Sequence, residues 1–226
     1  MKELGATDVR QLEAALFRKY GDLKWWPAES ADEVLIGAIL TQNTSWRNVE
    51  TCIASLRING MLSCCSISES GREKLAVLIR SSGFYNQKAE RLTTVCGKVC
   101  EDYGTLELMA RRITMEKARE FFSGIKGIGR ETLSSILLYA LHLPVFVMDK
   151  YTWRMLGRLG FETDEKRPDH VESVFVAALG GDVNRLRNLH AMIVNLAKDN
   201  CKSKPICETC LLRDNCDYAG REIIVP

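Results

Sequence analysis

The chain has 226 residues, of which 46% are hydrophobic, so it can bury one sizeable core or two smaller ones. Its 31 lysines and arginines against 29 acidic residues give a formal net charge of +2, and this near balance excludes any inference of a polyanionic partner from composition alone. No uninterrupted apolar run reaches the length of a membrane-crossing helix, and residues 1–20 lack the apolar core of a signal peptide.

Hydrophobic residues recur with the period of an α-helix, and no convincing two-residue alternation is present, which predicts an all-α fold. Ser30 and Glu33 form a capping box ahead of the apolar run 34–40, so a buried helix begins there. Glycines mark turns between the later elements. Further helices are predicted at 46–58, 70–81, 86–103, 114–122, 130–142, 150–159, 168–179 and 184–199.

A glycine-rich turn, residues 124–130, separates two of these helices. Glycines at 127 and 129 permit a sharp hairpin whose backbone can approach a ligand closely, and the next helix N-terminus offers unpaired N–H groups. Such a turn suits a phosphate group. Taken alone, it also fits an ordinary helix–helix turn with a glycine cap.

The next element favours the phosphate interpretation. An apolar run, residues 144–148, leads into Asp149, and a helix begins at Lys150. Asp149 taken alone is typical of an N-cap. However, Lys150, Arg154 and Arg158 recur at four-residue spacing and share one face of that helix. A carboxylate beside a basic face and a glycine hairpin indicates a DNA-backbone site with one acid in its middle.

The carboxyl-terminal region contains four cysteines, separated by gaps of five, two and five residues: Cys201, Cys207, Cys210 and Cys216. Four thiols this close in sequence can bind one iron–sulfur cluster. Structural zinc is the alternative, but it usually uses two Cys-x2-Cys hooks, and here there is one.

The other five cysteines are predicted to be small buried apolar residues. Nine cysteines without a secretory signal indicate a reducing compartment, so we expect an intracellular, cytoplasmic protein with no membrane partner. The five are Cys52, Cys64, Cys65, Cys96 and Cys100.

Several segments together resemble the helix-hairpin-helix DNA glycosylases of the endonuclease III superfamily. Residues 39–44 (Ile-Leu-Thr-Gln-Asn-Thr) and 83–89 (Gly-Phe-Tyr-Asn-Gln-Lys-Ala) match two of the family's segments. The glycine hairpin, Asp149 and the cysteine loop follow in the family's order, so the resemblance spans nearly the whole chain.

The resemblance implies a two-lobed all-α fold with a carboxyl-terminal 4Fe-4S cluster loop at 201–216. Residues 24–134 would form the lobe that contains the hairpin, and 1–23 plus 135–226 would form the second lobe. It implies a base-excision repair enzyme that acts on double-stranded DNA containing a damaged base. We expect a monomer associated with a bacterial nucleoid.

Within the superfamily, the Trp-Trp-Pro segment and Trp46 most resemble bacterial 3-methyladenine DNA glycosylases. The resemblance implies a base pocket formed by Trp25, Trp26, Pro27 and Trp46. An alkylated purine is cationic, and aromatic faces attract a desolvated cation by about 2 kcal/mol. The tryptophans also fit a simpler role as core anchors.

The resemblance assigns roles to the remaining site residues as well. Gln42 would fill the place that the damaged nucleotide leaves in the base stack, and Asp149 would stabilise the cationic sugar that forms when the base departs. The residues expected to contact the DNA backbone are Lys126, Gly127, Gly129, Arg130, Lys150 and Arg154.

One departure from the family pattern bears on the reaction. Bifunctional members carry a lysine nucleophile near the start of the second hairpin helix, where this chain has Glu131. A carboxylate cannot form an imine, so we predict a monofunctional glycosylase that hydrolyses alkylated purines such as 3-methyladenine from DNA. The first cysteine gap is also one residue shorter than in endonuclease III. Two alternatives remain: a uracil or thymine mismatch glycosylase, and a noncatalytic redox-sensing DNA-binding protein.

Overall fold

The computed structural model describes residues 2–23, 25–163 and 168–222. Their helical content confirms the predicted all-α class; within these ranges the β-structure consists of an isolated bridge between Lys2 and Phe161. The α-helices are α1 Ala6–Tyr20, α2 Ala31–Leu40, α3 Trp46–Ile58, α4 Cys64–Glu69, α5 Arg72–Leu78, α6 Tyr85–Tyr103, α7 Leu106–Ala110, α8 Met115–Ser123, α9 Arg130–Ser135, α10 Lys150–Arg158, α11 Pro168–Ala178, α12 Val183–Asp199 and α13 Asp217–Glu222.

The helix starts follow the capping signals in the sequence. Ser30 accepts the backbone N–H of Glu33 at 3.1 Å and begins α2, and Thr114 caps α8 in the same way. The helix predicted at 70–81 is divided, because α5 is followed by a tighter 3-10 turn at Arg80–Ser82. None of the described helices combines the length and apolar character that a membrane crossing requires.

The chain forms two compact units. The hairpin unit comprises residues 26–143, and the second unit comprises the residues up to 25 together with those from 144 onward. The second boundary therefore lies nine residues beyond the predicted 134, because α9 continues into a buried π-helical turn, Ile136–Ala140, that packs against α2. Lys24, at the other predicted boundary, lies outside the described residues.

Helix α2 forms the centre of the hairpin unit, and buried polar groups fix its two ends. Asp32 accepts the backbone N–H groups of Cys64 and Leu106, at 2.7 and 2.8 Å, and so ties α2 to α4 and α7. At the other end, buried Lys88 donates to the carbonyl oxygens of Leu40 and Ser82, at 2.9 and 2.7 Å. Burial lowers the pKa of Lys88. Its amine holds the end of α2 in place.

Cys65 and Cys100 form a disulfide that joins α4 to α6, with their Cα atoms 5.1 Å apart. The prediction that both are unpaired buried apolar residues was therefore wrong. The reason is tertiary, since α4 packs closely along α6. Cys52, Cys64 and Cys96 are free and fully buried, as predicted.

In the second unit, α12 is the most buried helix and packs against α1 and α10. The apolar run before Asp149 is also buried, and its Phe146 stacks on Phe175 of α11 with ring centroids 4.1 Å apart. The beginning of α10 is therefore anchored in this core.

Candidate active site and DNA-contacting surface

Asp149 is the N-cap of α10. Its Oδ1 accepts the backbone N–H groups of Tyr151 and Thr152, at 3.0 and 2.8 Å. Only 5% of the residue is exposed, because the preceding apolar segment draws it into the core. The capping role that the sequence indicated is thus present, but a cap alone does not require such burial.

The second oxygen of Asp149 faces His190 of α12, with Oδ2 and Nε2 3.6 Å apart. This separation is slightly longer than a hydrogen bond, so the two side chains face each other without forming one. Burial raises the pKa of Asp149, but the nearby His190 and Thr152 lower it more. The net effect is a lowered pKa, so Asp149 is ionised at neutral pH. Sequence reasoning missed His190, because nothing in its local pattern separates it from an ordinary core histidine.

Trp26, Pro27 and Trp46 line one cavity of about 180 Å³ in the hairpin unit. The two indole rings meet edge to face, with centroids 5.6 Å apart and planes at 83°. Gly37 of α2 also lines the cavity, and a Cβ there would lie 3.4 Å from the Trp26 ring. The indole therefore packs against α2, at a distance that a Cβ would meet as an ordinary van der Waals contact.

The same cavity has acidic lining. Glu33 and Glu50 contribute carboxylates, and Arg57 contributes one guanidinium group. Arg57 is bound to Glu33 at 3.0 Å and also pairs with Glu29. Carboxylates therefore outnumber the cation around these aromatic rings, an arrangement that suits a positively charged planar ligand.

Trp25 is not among the residues that line this cavity. It belongs to the second unit, where Lys198 of α12 lies over its ring at 4.8 Å from the centroid. The predicted four-residue pocket is thus represented by three residues here. Adjacent positions in an extended segment point in different directions, so the Trp-Trp pair could not be assigned to one surface from sequence.

Gln42 follows α2 and is held against the hairpin. Its Nε2 donates to the carbonyl oxygen of Gly127 at 3.1 Å and to Oγ1 of Thr132 at 2.9 Å. Its Oε1 accepts from the guanidinium group of Arg91 at 2.6 Å. Gly127 has φ +92°, and a Cβ there would overlap the Arg91 side chain. The hairpin and the Gln42 segment therefore form one connected structure.

The other predicted backbone-contacting groups of the hairpin are exposed. Lys126, Gly129 and Arg130 all lie at the surface. Gly129 caps α9 with an extended backbone, φ −79°, and open space around it, so only Gly127 requires glycine for its conformation. Lys150 is exposed on α10 beside the Tyr151 ring.

Arg154 does not project freely as the predicted basic face requires. Its Nε donates to the carbonyl oxygen of Cys201 at 2.8 Å. Arg158 binds the same loop through Sγ of Cys201 at 3.2 Å and two further carbonyl oxygens. On this helix face Lys150 is exposed, whereas loop carbonyl oxygens accept hydrogen bonds from both arginines. Contact of Lys150 and Arg154 with DNA stays a prediction.

Phe84 is a surface feature that sequence reasoning did not single out. This aromatic residue is 64% exposed and has a left-handed backbone, φ 47°, immediately before α6. A left-handed conformation is strained for a residue with a side chain, and such strain is concentrated at functional sites. No sequence signal reveals it, because exposure and φ are both set by the fold.

The four carboxyl-terminal cysteines line one small cavity of about 30 Å³. Burial, and next the neighbouring Cys201 and Cys216, raise the pKa of Cys210. Among the described residues, no group of three His, Cys, Asp or Glu side chains is placed to hold a metal ion. The shared cavity is what relates the four cysteines, and a 4Fe-4S cluster bound by them stays a prediction.

The structure combines an all-helical fold, a glycine hairpin, a buried aspartate after the hairpin and a four-cysteine loop. These features define the helix-hairpin-helix class of DNA repair folds. The pattern of the HhH-GPD superfamily base excision DNA repair proteins matches residues 36–178, and the chain belongs to this superfamily.

Individual relatives agree with this assignment. A Methanocaldococcus jannaschii protein provisionally named as a DNA repair glycosylase is 41% identical over 218 residues, covering 96% of this chain and 99% of the relative. The structure of the H. pylori 3-methyladenine DNA glycosylase bound to 1,N6-ethenoadenine has 28% identity and a TM-score of 0.73, covering 86% of this chain and 98% of the other. The structure of a trapped endonuclease III–DNA complex has 18% identity and a TM-score of 0.78, and the match covers 97% of this chain and 99% of the other. At this identity the match shows a shared fold.

Proposed function

We propose that this protein is a monofunctional DNA glycosylase that removes alkylated purines such as 3-methyladenine from double-stranded DNA. The observation that carries the proposal is the cavity in which Trp26 and Trp46 meet among surplus carboxylates. Such a cavity favours a cationic base over a neutral one. The 28% identical H. pylori enzyme, bound to a modified adenine, supports the same substrate class.

Binding would begin at the DNA backbone. The amides of Gly127 and Gly129, with the side chains of Lys126, Arg130 and Lys150, would contact phosphates. These residues are exposed, apart from the half-buried Gly127. Nonspecific phosphate contacts position the duplex and carry no sequence information.

Extrusion of the damaged nucleotide would follow. Exposed Phe84 would enter the base stack, and Gln42 would exchange some of its contacts with the hairpin for contacts with the opened base pair. Unstacking costs a few kcal/mol and least for a weakly paired lesion, so selectivity begins before the bond breaks.

The bond between the purine and C1′ would then break, and its electron pair leaves with the base. Because an alkylated purine is already positively charged, it departs as a neutral base without a strong general acid. Asp149 stabilises the oxocarbenium-like sugar, water adds through its oxygen to C1′, and the proton that the added water then loses passes to bulk solvent. The products are a free base and an abasic site.

The reaction would pass through no imine, because the hairpin helix has Glu131 where an amine would be needed. The buried Lys88 amine also fits no such role, since it donates to two carbonyl oxygens. Strand cleavage should therefore require alkali.

Cys201, Cys207, Cys210 and Cys216 would hold a 4Fe-4S cluster, which when bound cross-links the loop and takes no part in base release. The chain fastens the loop to α10 through Arg154 and Arg158.

The test is a panel of duplexes containing 3-methyladenine, 7-methylguanine, ethenoadenine, uracil or thymine mismatches, scored with and without alkali. We expect release of the cationic purines 3-methyladenine and 7-methylguanine, slower release of the neutral ethenoadenine, and strand breaks only after alkali. Trp46→Ala should reduce release by about 5- to 150-fold, by the loss of about 1–3 kcal/mol of base stacking. Phe17→Ala, a change of an exposed aromatic on α1, is the control. Release of uracil or thymine alone would refute the substrate assignment. Strand breaks without alkali would refute the assignment as a monofunctional enzyme.

A further inference from the structure

A buried ionisable side chain faces Asp149, and the mechanism above does not use it. Nε2 of His190 lies 3.6 Å from Oδ2 of Asp149, and the two residues are 6% and 5% exposed. Oδ1 is held by the backbone N–H groups of Tyr151 and Thr152. The two carboxylate oxygens therefore have different environments: the start of α10 holds one, and a helix distant in sequence faces the other.

The imidazole is itself held in place by aromatic packing. Its ring meets Phe146 edge to face, with centroids 6.0 Å apart and planes at 88°. Phe146 in turn stacks flat on Phe175, with centroids 4.1 Å apart. Because Phe146 belongs to the segment that leads into Asp149, the carboxylate and the imidazole are anchored to the same packed cluster.

We propose that His190 is the positioning residue of Asp149: it holds Oδ2, so that the carboxylate keeps one orientation while the sugar becomes cationic. This inference rests on the proposed function, since it assigns a role within the same reaction. His190 acts through Asp149 and does not contact the substrate. Without a partner, a carboxylate this deeply buried would favour its neutral form, which cannot stabilise a cation.

The charges around the pair support this role. Burial raises the pKa of Asp149, and His190 and Thr152 lower it to a greater extent. In the described part of this unit, the other buried acidic or basic side chain is Glu172 of α11, and exposed Lys150 follows Asp149 on α10. Among the side chains around Asp149, His190 is the one that lowers its pKa most.

The experiment compares His190→Phe, His190→Gln and Phe175→Leu in the full chain with its cluster loaded. Phenylalanine keeps an aromatic ring without a donor, and glutamine keeps a donor without a charge. Phe175→Leu disturbs the same aromatic cluster without touching Asp149, so it controls for packing. Single-turnover release of 3-methyladenine is measured from about pH 3 to about pH 8, a range that covers the titration of Asp149, whose pKa is lowered from 3.8, and of histidine; enzyme-free depurination is subtracted.

In the acid limb of the profile, release falls as the pH is lowered. We expect this limb to lie about one pH unit higher in His190→Phe, which is the shift expected when a carboxylate loses an opposite charge nearby. His190→Gln should shift similarly but retain faster release at neutral pH than His190→Phe, because its amide can still donate to Oδ2. Phe175→Leu should lower the melting temperature and leave the limb in place. An unshifted limb in His190→Phe, or an equal shift in Phe175→Leu, overturns the proposal.

A second measurement applies even if His190→Phe does not fold. The Asp149 carboxyl carbon is titrated by 13C NMR in the wild type and in His190→Gln, and a higher pKa in the variant is expected. Equal values refute the role of His190. A wild type that releases no alkylated purine refutes the proposed function instead, and the NMR comparison still decides whether His190 holds Asp149.

Discussion

Asp149 and Asp182 cap α10 and α12 in the same way. In each, Oδ1 accepts the backbone N–H groups two and three residues later, at 2.8–3.1 Å. Their surroundings differ, because Asp182 is exposed, whereas Asp149 is buried and faces His190. The same capping signal thus begins one helix in solvent and another at a buried candidate catalytic carboxylate.

The comparison shows that the local hydrogen bonds of an aspartate do not reveal its role. Backbone N–H groups satisfy one oxygen at either helix. What distinguishes Asp149 is the second oxygen, which burial removes from water and which His190 faces. Burial without a partner would make the carboxylate neutral, and a partner without burial would be screened by solvent. Burial together with a facing partner is therefore what separates Asp149 from Asp182.

The largest expected effect is on base release. Asp149→Asn keeps a good N-cap but removes the charge, so release of 3-methyladenine should fall by about 10²–10³-fold, the loss typical of one electrostatic stabiliser. Asp182→Asn, the matched change, should stay within about twofold. Single-turnover assays with duplex-binding controls measure both. Equal losses in the two variants would erase the distinction between the carboxylates.

The second largest expected effect is on folding stability, which should differ between variants of the two aspartates. Asp182→Ala removes an exposed cap and should lower the free energy of unfolding by about 1 kcal/mol. Asp149→Ala should cost about 3 kcal/mol, because it also leaves a buried histidine without its acidic partner. Urea denaturation of the cluster-loaded proteins gives both values. If Asp149→Ala costs no more than Asp182→Ala, the contact with His190 contributes nothing to folding.

The stabilisation by Asp149 should depend on pH. Since its folded-state pKa is lowered from 3.8, its ionised form stabilises the fold above about that pH, and this stabilisation is lost as the pH falls through the folded pKa. The difference in unfolding free energy between the wild type and Asp149→Asn should therefore narrow below about pH 4. Urea titrations at a series of pH values test this, and a gap that widens on acidification would contradict a lowered pKa.

The smallest effect concerns the hydroxyl group beside Asp149. Thr152 is fully buried, and its hydroxyl oxygen has no hydrogen-bond partner in the described structure. It nevertheless lies near Asp149 and lowers the pKa of that residue, so Thr152→Val should raise that pKa. We expect base release to fall by about twofold at acidic pH, as for a polar contact weaker than a hydrogen bond of about 1 kcal/mol, and to change little at neutral pH. Thr152→Ser, which keeps the hydroxyl, is the control. Identical profiles for valine and serine would leave the hydroxyl without a role.

Several features could be predicted from sequence because they depend on short segments. Ser30 begins α2 through a contact with Glu33, three residues later. Gly127 adopts positive φ within the turn where the glycines stand, and Asp149 caps the helix that follows it. Backbone sterics and nearest-neighbour hydrogen bonds act over a few residues, and these are encoded locally.

Other features depended on residues far apart in the chain. Arg154 lies on the predicted helix face, yet its guanidinium group donates a hydrogen bond to the carbonyl oxygen of Cys201. Trp25 follows a recognisable motif but lies under Lys198 rather than in the cavity of Trp26. Helical periodicity gives the direction of a side chain on its own helix, but not the group that packs there.

The amino-acid sequence by itself determined the all-α class, most helix positions, the hairpin, the capping aspartate and the grouping of four cysteines. These follow from periodicity, backbone sterics and the spacing of like residues. Tertiary packing alone decided that Cys65 meets Cys100, that Gln42 is held by Arg91, and that His190 faces Asp149. Such contacts join segments whose separation is fixed only when the helices pack, because they depend on the whole core.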